Sequence, residues 1–164
     1  MKAALALAAV LVSLAAAGTA AAAPPRLVVY GYPYAGGCPA AGVVDAVDRW
    51  SMNTCNCTSY VAWALQANGQ RIDWFVAGAM DAWNWPHVAR LAHLQVGRTP
   101  RVGAVAVWPK LAPPFGHVAY VTRVRGGGRF DVGEYNYPGL SPYDFDERQE
   151  VRPAGAVFIY VPRR

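Results

Sequence analysis

The chain is short of several residue types, and each shortage excludes something. Of 164 residues only three are cysteine and three histidine, and charged residues make up 15%. Three cysteines are too few for a disulfide scaffold, and an odd number leaves one thiol over. Beyond the first 22 residues no uninterrupted apolar run reaches the ~18 residues of a spanning helix, so stable membrane insertion is not expected. The formal charge is +5, yet no cluster of consecutive Lys/Arg appears, which argues against a nucleic-acid partner. Cys55-x-Cys57 lacks the two-residue gap of familiar zinc motifs and has no second ligand pair, so no metal is expected there. His87 and His93, six apart on a helical segment, do not share a face as a metal pair.

What is present begins with MKAALALAAVLVSLAAAGTAAAAPP. Lys2 gives a positive start, Ala3 to Ala16 an apolar stretch, and Gly18 to Ala23 small residues suited to signal peptidase. Residues 1–22 therefore read as a secretory signal peptide, cleaved after an Ala-x-Ala ending, and the expected destination is the medium or a periplasm. Residues 23–164, about 140, suffice for one domain and not for two. Six Trp, nine Tyr and five Phe supply a large apolar payload. Without Lys2 the formal charge is +5 − 1 = +4. That charge draws an exported protein toward anionic surfaces such as cell walls, or simply aids solubility.

Arg26 to Tyr34 reads as a short strand entering a Pro-Tyr loop, and Gly36 to Gly42 as a loop holding Cys38. Val43 to Trp50 suggests a helical turn. Cys57 to Asn68 reads as a helix closed by Asn68-Gly69. Further helical pieces are expected at Val76 to Trp83 and Pro86 to Leu94, with Pro86 an early helical residue. From Pro100 the chain turns to strands: Gly103 to Pro109, Gly116 to Arg125, Arg129 to Tyr137 and Gly155 to Pro162, with Pro138 to Pro142 a loop. Gly126-Gly127-Gly128 marks a hairpin. Helices first and an antiparallel sheet second is the pattern of an α+β domain.

Asn56 is a good N-cap residue, which puts Cys57 in the first helical turn. Unpaired backbone N–H groups and the positive end of the helix dipole favour a thiolate there. Position and composition alone fit a nucleophile and half of a disulfide equally well. His117 heads a strongly apolar strand, directly after Gly116, where a titratable ring is hard to dismiss as packing. If Arg125 pairs with Gly128 across a two-residue turn, His117 faces Asn136 and Glu134 lies diagonally beside it on one sheet face. A one-residue slip would turn Glu134 and Asn136 away, so this grouping requires an even-length turn. A histidine flanked by a carboxylate and an amide can take a proton from a thiol.

With these residues assembled, the chain resembles the CHAP family, the cysteine- and histidine-dependent amidohydrolase/peptidase domains. The matching stretches are YPY (Tyr32 to Tyr34), NCTSYVAWAL (Asn56 to Leu65), NWPHVAR (Asn84 to Arg90), TPRVGAVAVW (Thr99 to Trp108), GHVAYVTRV (Gly116 to Val124) and EYNYPG (Glu134 to Gly139), in the family's order. The resemblance implies a papain-like α+β fold with the nucleophile at a helix start packed on an antiparallel sheet. It implies Cys57 as nucleophile, His117 as base, Glu134 as the residue orienting the base and Asn136 as a second polar contributor. Asn56 would assist the Cys57 backbone N–H in oxyanion stabilisation.

Cys55, two residues before the nucleophile, departs from the motif. A Cys55–Cys57 bond would close a strained ring and silence the enzyme, so the economical pairing is Cys38 with Cys55. The resemblance further implies an exported hydrolase of amide bonds in peptidoglycan, either muramoyl–alanine or within the stem or cross-bridge peptide, working as a monomer without a cofactor. Hydrolysis or transfer on a small amide or thioester, and a catalytically silent wall-binding module, are the competing expectations.

Overall fold

The computed structural model describes residues 26–39, 46–74, 81–140 and 142–164. The expected signal peptide lies outside these residues, as do the first part of the turn expected at Val43 to Trp50 and most of the helix expected at Val76 to Trp83. Helix α1 spans Cys57–Ala67. Tyr60, Val61, Ala64 and Leu65 recur at helical spacing and are each 0% exposed, so one flank of α1 is wholly buried. Asn68 ends the helix and does more than cap it. Its Nδ2 donates to the carbonyls of Ala64 and Val28, both at 2.8 Å, and its Oδ1 accepts from the Val28 N–H at 2.8 Å. Helix α2, Trp85–Leu91, carries Pro86 in its first turn, where the missing N–H costs nothing. Among the described residues no helix is long and apolar enough to cross a membrane.

Among the described residues six antiparallel strands complete the α+β fold: β1 Gln95–Gly97, β2 Val105–Trp108, β3 His117–Val124, β4 Phe130–Tyr135, β5 Phe145–Val151 and β6 Val157–Tyr160. Their order across the sheet is β1-β6-β2-β3-β4-β5. Alternation along the strands makes two cores. Val105, Val107, Val118, Tyr120 and Ile159 pack with α1 and α2 on one side. Ala106, Ala119, Val121, Val132 and Phe158 cluster on the other.

The hairpin differs from expectation in a way that matters for the site. Arg125 pairs with Arg129, its N–H donating to the Arg129 carbonyl at 2.7 Å, so three glycines rather than two make the turn. That odd length would flip the faces. A bulge between Val121 and Arg123 takes up one residue, Thr122, and restores Val121↔Val132 and Tyr120↔Gly133.

Arg26 to Tyr34 is not a strand. Gly31 takes φ +93, and the segment is tied to α1 through Asn68 and through the Tyr60 hydroxyl, which donates to the Val29 carbonyl at 2.8 Å. At the end of the expected helical turn, Asp48 Oδ1 instead accepts the N–H groups of Trp50 and Met52, forming a tight polar turn. α2 stops at Leu91, and His93 beyond it adopts φ +59. Strands β1 and β5 have no counterpart in the sequence reading. β1 is three residues long, and β5 is a polar edge strand without apolar alternation.

Cys38 and Cys55 are joined in a disulfide with Cα atoms 5.5 Å apart, and Cys57 is free. The bridge fastens the N-terminal loop to the segment that leads into α1. Reducing it in a Cys57→Ala background should lower unfolding stability by about 3 kcal/mol, the chain-entropy value for a loop this long. Denaturant midpoints with and without reductant check this, and equal midpoints would show a bridge without stabilising effect.

Candidate active site

Cys57 is the first residue of α1 and half-buried. Asn56 stands at the N-cap with extended backbone (φ −108, ψ 163), but its side chain makes no capping bond. Instead Asn56 Nδ2 donates to the Thr54 carbonyl at 3.4 Å and Oδ1 accepts from Asn136 Nδ2 at 2.7 Å. The first-turn N–H groups of α1 therefore have no side-chain cap, and their partial positive charge stands beside the Cys57 thiol. Cys57 and Thr58 line a cavity of about 320 Å³ that also reaches Asp81, Phe115 and Asn136.

His117 opens β3 and is 1% exposed. By the pairing Trp108↔His117 it lies on the side of the smaller core, away from α1. Its position at the strand's end is where the first turn of α1 meets it. Nε2 sits 2.7 Å from Oε2 of Glu134, which is 0% exposed. That contact leaves Nδ1 free to serve Cys57, whose thiol group acts on the ring. Burial pushes the imidazole down most strongly. The charge and hydrogen bond of Cys57, then those of Glu134, outweigh it and raise the ring from 6.5 to about 9. An imidazolium at His117, beside the Cys57 sulfur, is the form this geometry favours.

Behind Glu134 stands Arg148 of β5. Its Nε donates to Glu134 Oε1, and its Nη2 donates to Oε2 at 3.0 Å. The guanidinium lies 3.7 Å from the Tyr137 ring centroid and 5.5 Å from that of Trp108. Both rings also flank His117, Tyr137 edge-on at 5.3 Å. Formal charge thus alternates along His117, Glu134 and Arg148. Asp146 pairs across the ladder from Glu134, and its carboxyl is pushed up by burial, then by the charges of Glu134 and Asp144.

Of the expected site residues, Cys57, His117 and Glu134 come together as one line. Asn136 does not join them. It adopts φ +51, bonds Asn56, and accepts the Tyr143 N–H on Oδ1 at 3.2 Å, so it braces the helix entry rather than the histidine. Arg148 was missed with its strand. The available signal was chemical, since a carboxylate buried beside a histidine needs a further cation. Among the described residues no group of three or more His, Cys, Asp or Glu is placed to hold a metal ion.

The fold and the site together define a class, an α+β domain with a thiol at a helix tip, a buried histidine–carboxylate pair and no side-chain cap on the helix. Comparison with known proteins gives the family. Residues 47–136 match the CHAP domain model, more than half of the chain. The chain belongs to the CHAP domain family. A Staphylococcus aureus protein named "Probable autolysin LDP" is 39% identical over 61 residues, 37% of this chain and 21% of that protein. "Probable autolysin SsaALP" of the same species is 39% identical over 80 residues, 49% of this chain and 28% of that protein. The crystal structure of an N-acetylmuramoyl-L-alanine amidase from Staphylococcus aureus superposes with a TM-score of 0.57 at 26% identity, covering 67% of this chain and 31% of that one. The chain spans less than a third of the length of each.

Two outcomes follow from the buried charges. His117 is raised in the folded protein, so its protonated form stabilises fully below pH ~6.5, and that contribution is lost as pH rises through about 9. The thermal midpoint should fall across that window, and a His117→Gln variant should lose this slope. Arg148→Met leaves Glu134 with one fewer cation and should cost about 3 kcal/mol in denaturant unfolding. Arg148→Lys should cost less, and a cost near zero for Arg148→Met would remove Arg148 from the line.

Proposed function

We propose that the protein is an exported hydrolase of amide bonds in bacterial peptidoglycan, folded as one domain over residues 23–164 and acting through a thioacyl-enzyme. The observation that carries this reading is the line from Cys57 through buried His117 and Glu134 to Arg148. The names of its relatives, two autolysins and an amidase, favour the same substrate.

The thiolate of Cys57 attacks the carbonyl carbon while His117 holds the proton. The tetrahedral oxyanion is met by the Cys57 backbone N–H and by Asn56 Nδ2, at the positive end of α1. As the C–N bond breaks, the leaving amine takes its proton from His117 and the acyl group remains as a thioester. A water then gives its proton to His117 and adds to the thioester, which releases the carboxylate and returns the thiol. Glu134, clamped by Arg148, keeps Nε2 occupied so that Nδ1 faces the sulfur throughout.

Purified protein lacking residues 1–22 should release soluble fragments and new amino groups from peptidoglycan. Cys57→Ala should reduce that release by at least about a thousandfold, as expected for loss of a nucleophile, while Cys55→Ala retains it. Binding to the wall without new amino groups would instead identify a silent wall-binding module.

A further inference from the structure

Among the described residues, Asp81 is the only one with an ionisable carboxylate or a cationic side chain on the walls of the cavity beside Cys57. It precedes the short helical turn Ala82–Asn84 and stands where an aspartate usually caps with its own side chain, yet it makes no such bond. Among the described residues no hydrogen bond or ion pair engages its carboxylate. A free anion on the cleft wall of a chain with net charge +5 runs against the average charge of the surface. The other walls are of different chemistry. Asn56 and Asn136 present amides and Phe115, 59% exposed, an apolar face. Amides suit a peptide backbone, an aromatic suits aliphatic carbons, and a carboxylate with no internal partner suits an ammonium.

Resting on the proposed function, we infer that Asp81 is a specificity residue. It receives a primary ammonium carried by the peptide near the scissile amide. At about 320 Å³ the cavity is near the small end of ligand sites, roughly 300–1,000 Å³. Cys57 and Asp81 share its walls, so the ammonium belongs within about two residues of the attacked carbonyl, by the reach of ~3.5 Å per extended residue. Amino sugars whose nitrogen is acylated offer no cation there, whereas a diamino acid side chain or a free peptide amine does.

The test uses two synthetic stem peptides, one with a free side-chain amine and the same peptide N-acetylated. Wild-type protein should prefer the free amine by about tenfold in kcat/KM, the size of one charge-assisted hydrogen bond, mainly through KM. Asp81→Asn should bring that ratio close to one, and Asp81→Lys should invert it. A wild type that cleaves both equally, or an Asp81→Asn variant that keeps the preference, overturns the inference. Calorimetry on Cys57→Ala reads binding apart from chemistry. Tighter binding of the amine peptide with no hydrolysis of either by wild type upholds Asp81 and overturns the proposed function. Equal binding of the two overturns the role of Asp81 whatever the hydrolysis shows.

Discussion

A carboxylate with no exposed surface, bonded to a histidine that is 1% exposed, is the interaction on which the rest of this structure depends. Removing Glu134 from water costs several kcal/mol unless partners satisfy its charge. One partner is His117, a ring that burial pushes down and that Cys57 first and Glu134 second raise to about 9. The other is Arg148, which approaches both carboxylate oxygens as a fork. Lysine would satisfy the charge and not the geometry. Trp108 and Tyr137 hold the guanidinium from its flanks, and the same rings shield His117 from water. The aromatic content of the chain thus stabilises a charge array as well as an apolar core.

Two one-residue irregularities bring these groups to a common face. The bulge at Thr122 offsets the odd three-glycine turn, so β4 meets β3 in the register that sets Glu134 beside His117. A second shift, between Phe130 and Val132 on β4, takes up an extra residue in β5, where Glu150 adopts φ +53. Without it Val132 would face Gln149, and Arg148 would point to the other side of the sheet. With it Val132 faces Arg148. The sheet's bulges are therefore parts of the site.

Left-handed backbone clusters at and beside the cavity next to Cys57: Gly116 at φ +75, Asn136 at +51 and Tyr143 at +56 line it, and Cys55 at +61 lies two residues before Cys57. Three of these are not glycine, and such conformations persist only where surrounding contacts impose them. The Cys38–Cys55 bond, the Asn136–Asn56 pair and the Tyr143 N–H contact supply that constraint. At Gly116 the close approach is absolute, since a Cβ there would stand 2.5 Å from the Trp83 backbone nitrogen. The residue next to His117 must then be glycine to let the Ala82–Asn84 turn pack against it.

What the sequence determined by itself was local. The helix from Cys57, its stop at Asn68-Gly69, four of six strands and the α+β order follow from periodicity and turn residues, signals carried by near neighbours. Cys57 and His117 were legible because a helix start and a strand head are places where those residue types change chemistry. Glu134 was reached through a pairing argument that held only because a bulge corrected the assumed turn. Arg148, the Asn56–Asn136 brace and the isolation of Asp81 were decided by tertiary structure alone. Each depends on a register shift or a contact between segments distant in the chain, and no pattern in a polar strand such as Phe145–Val151 encodes which of its faces a bulge will present.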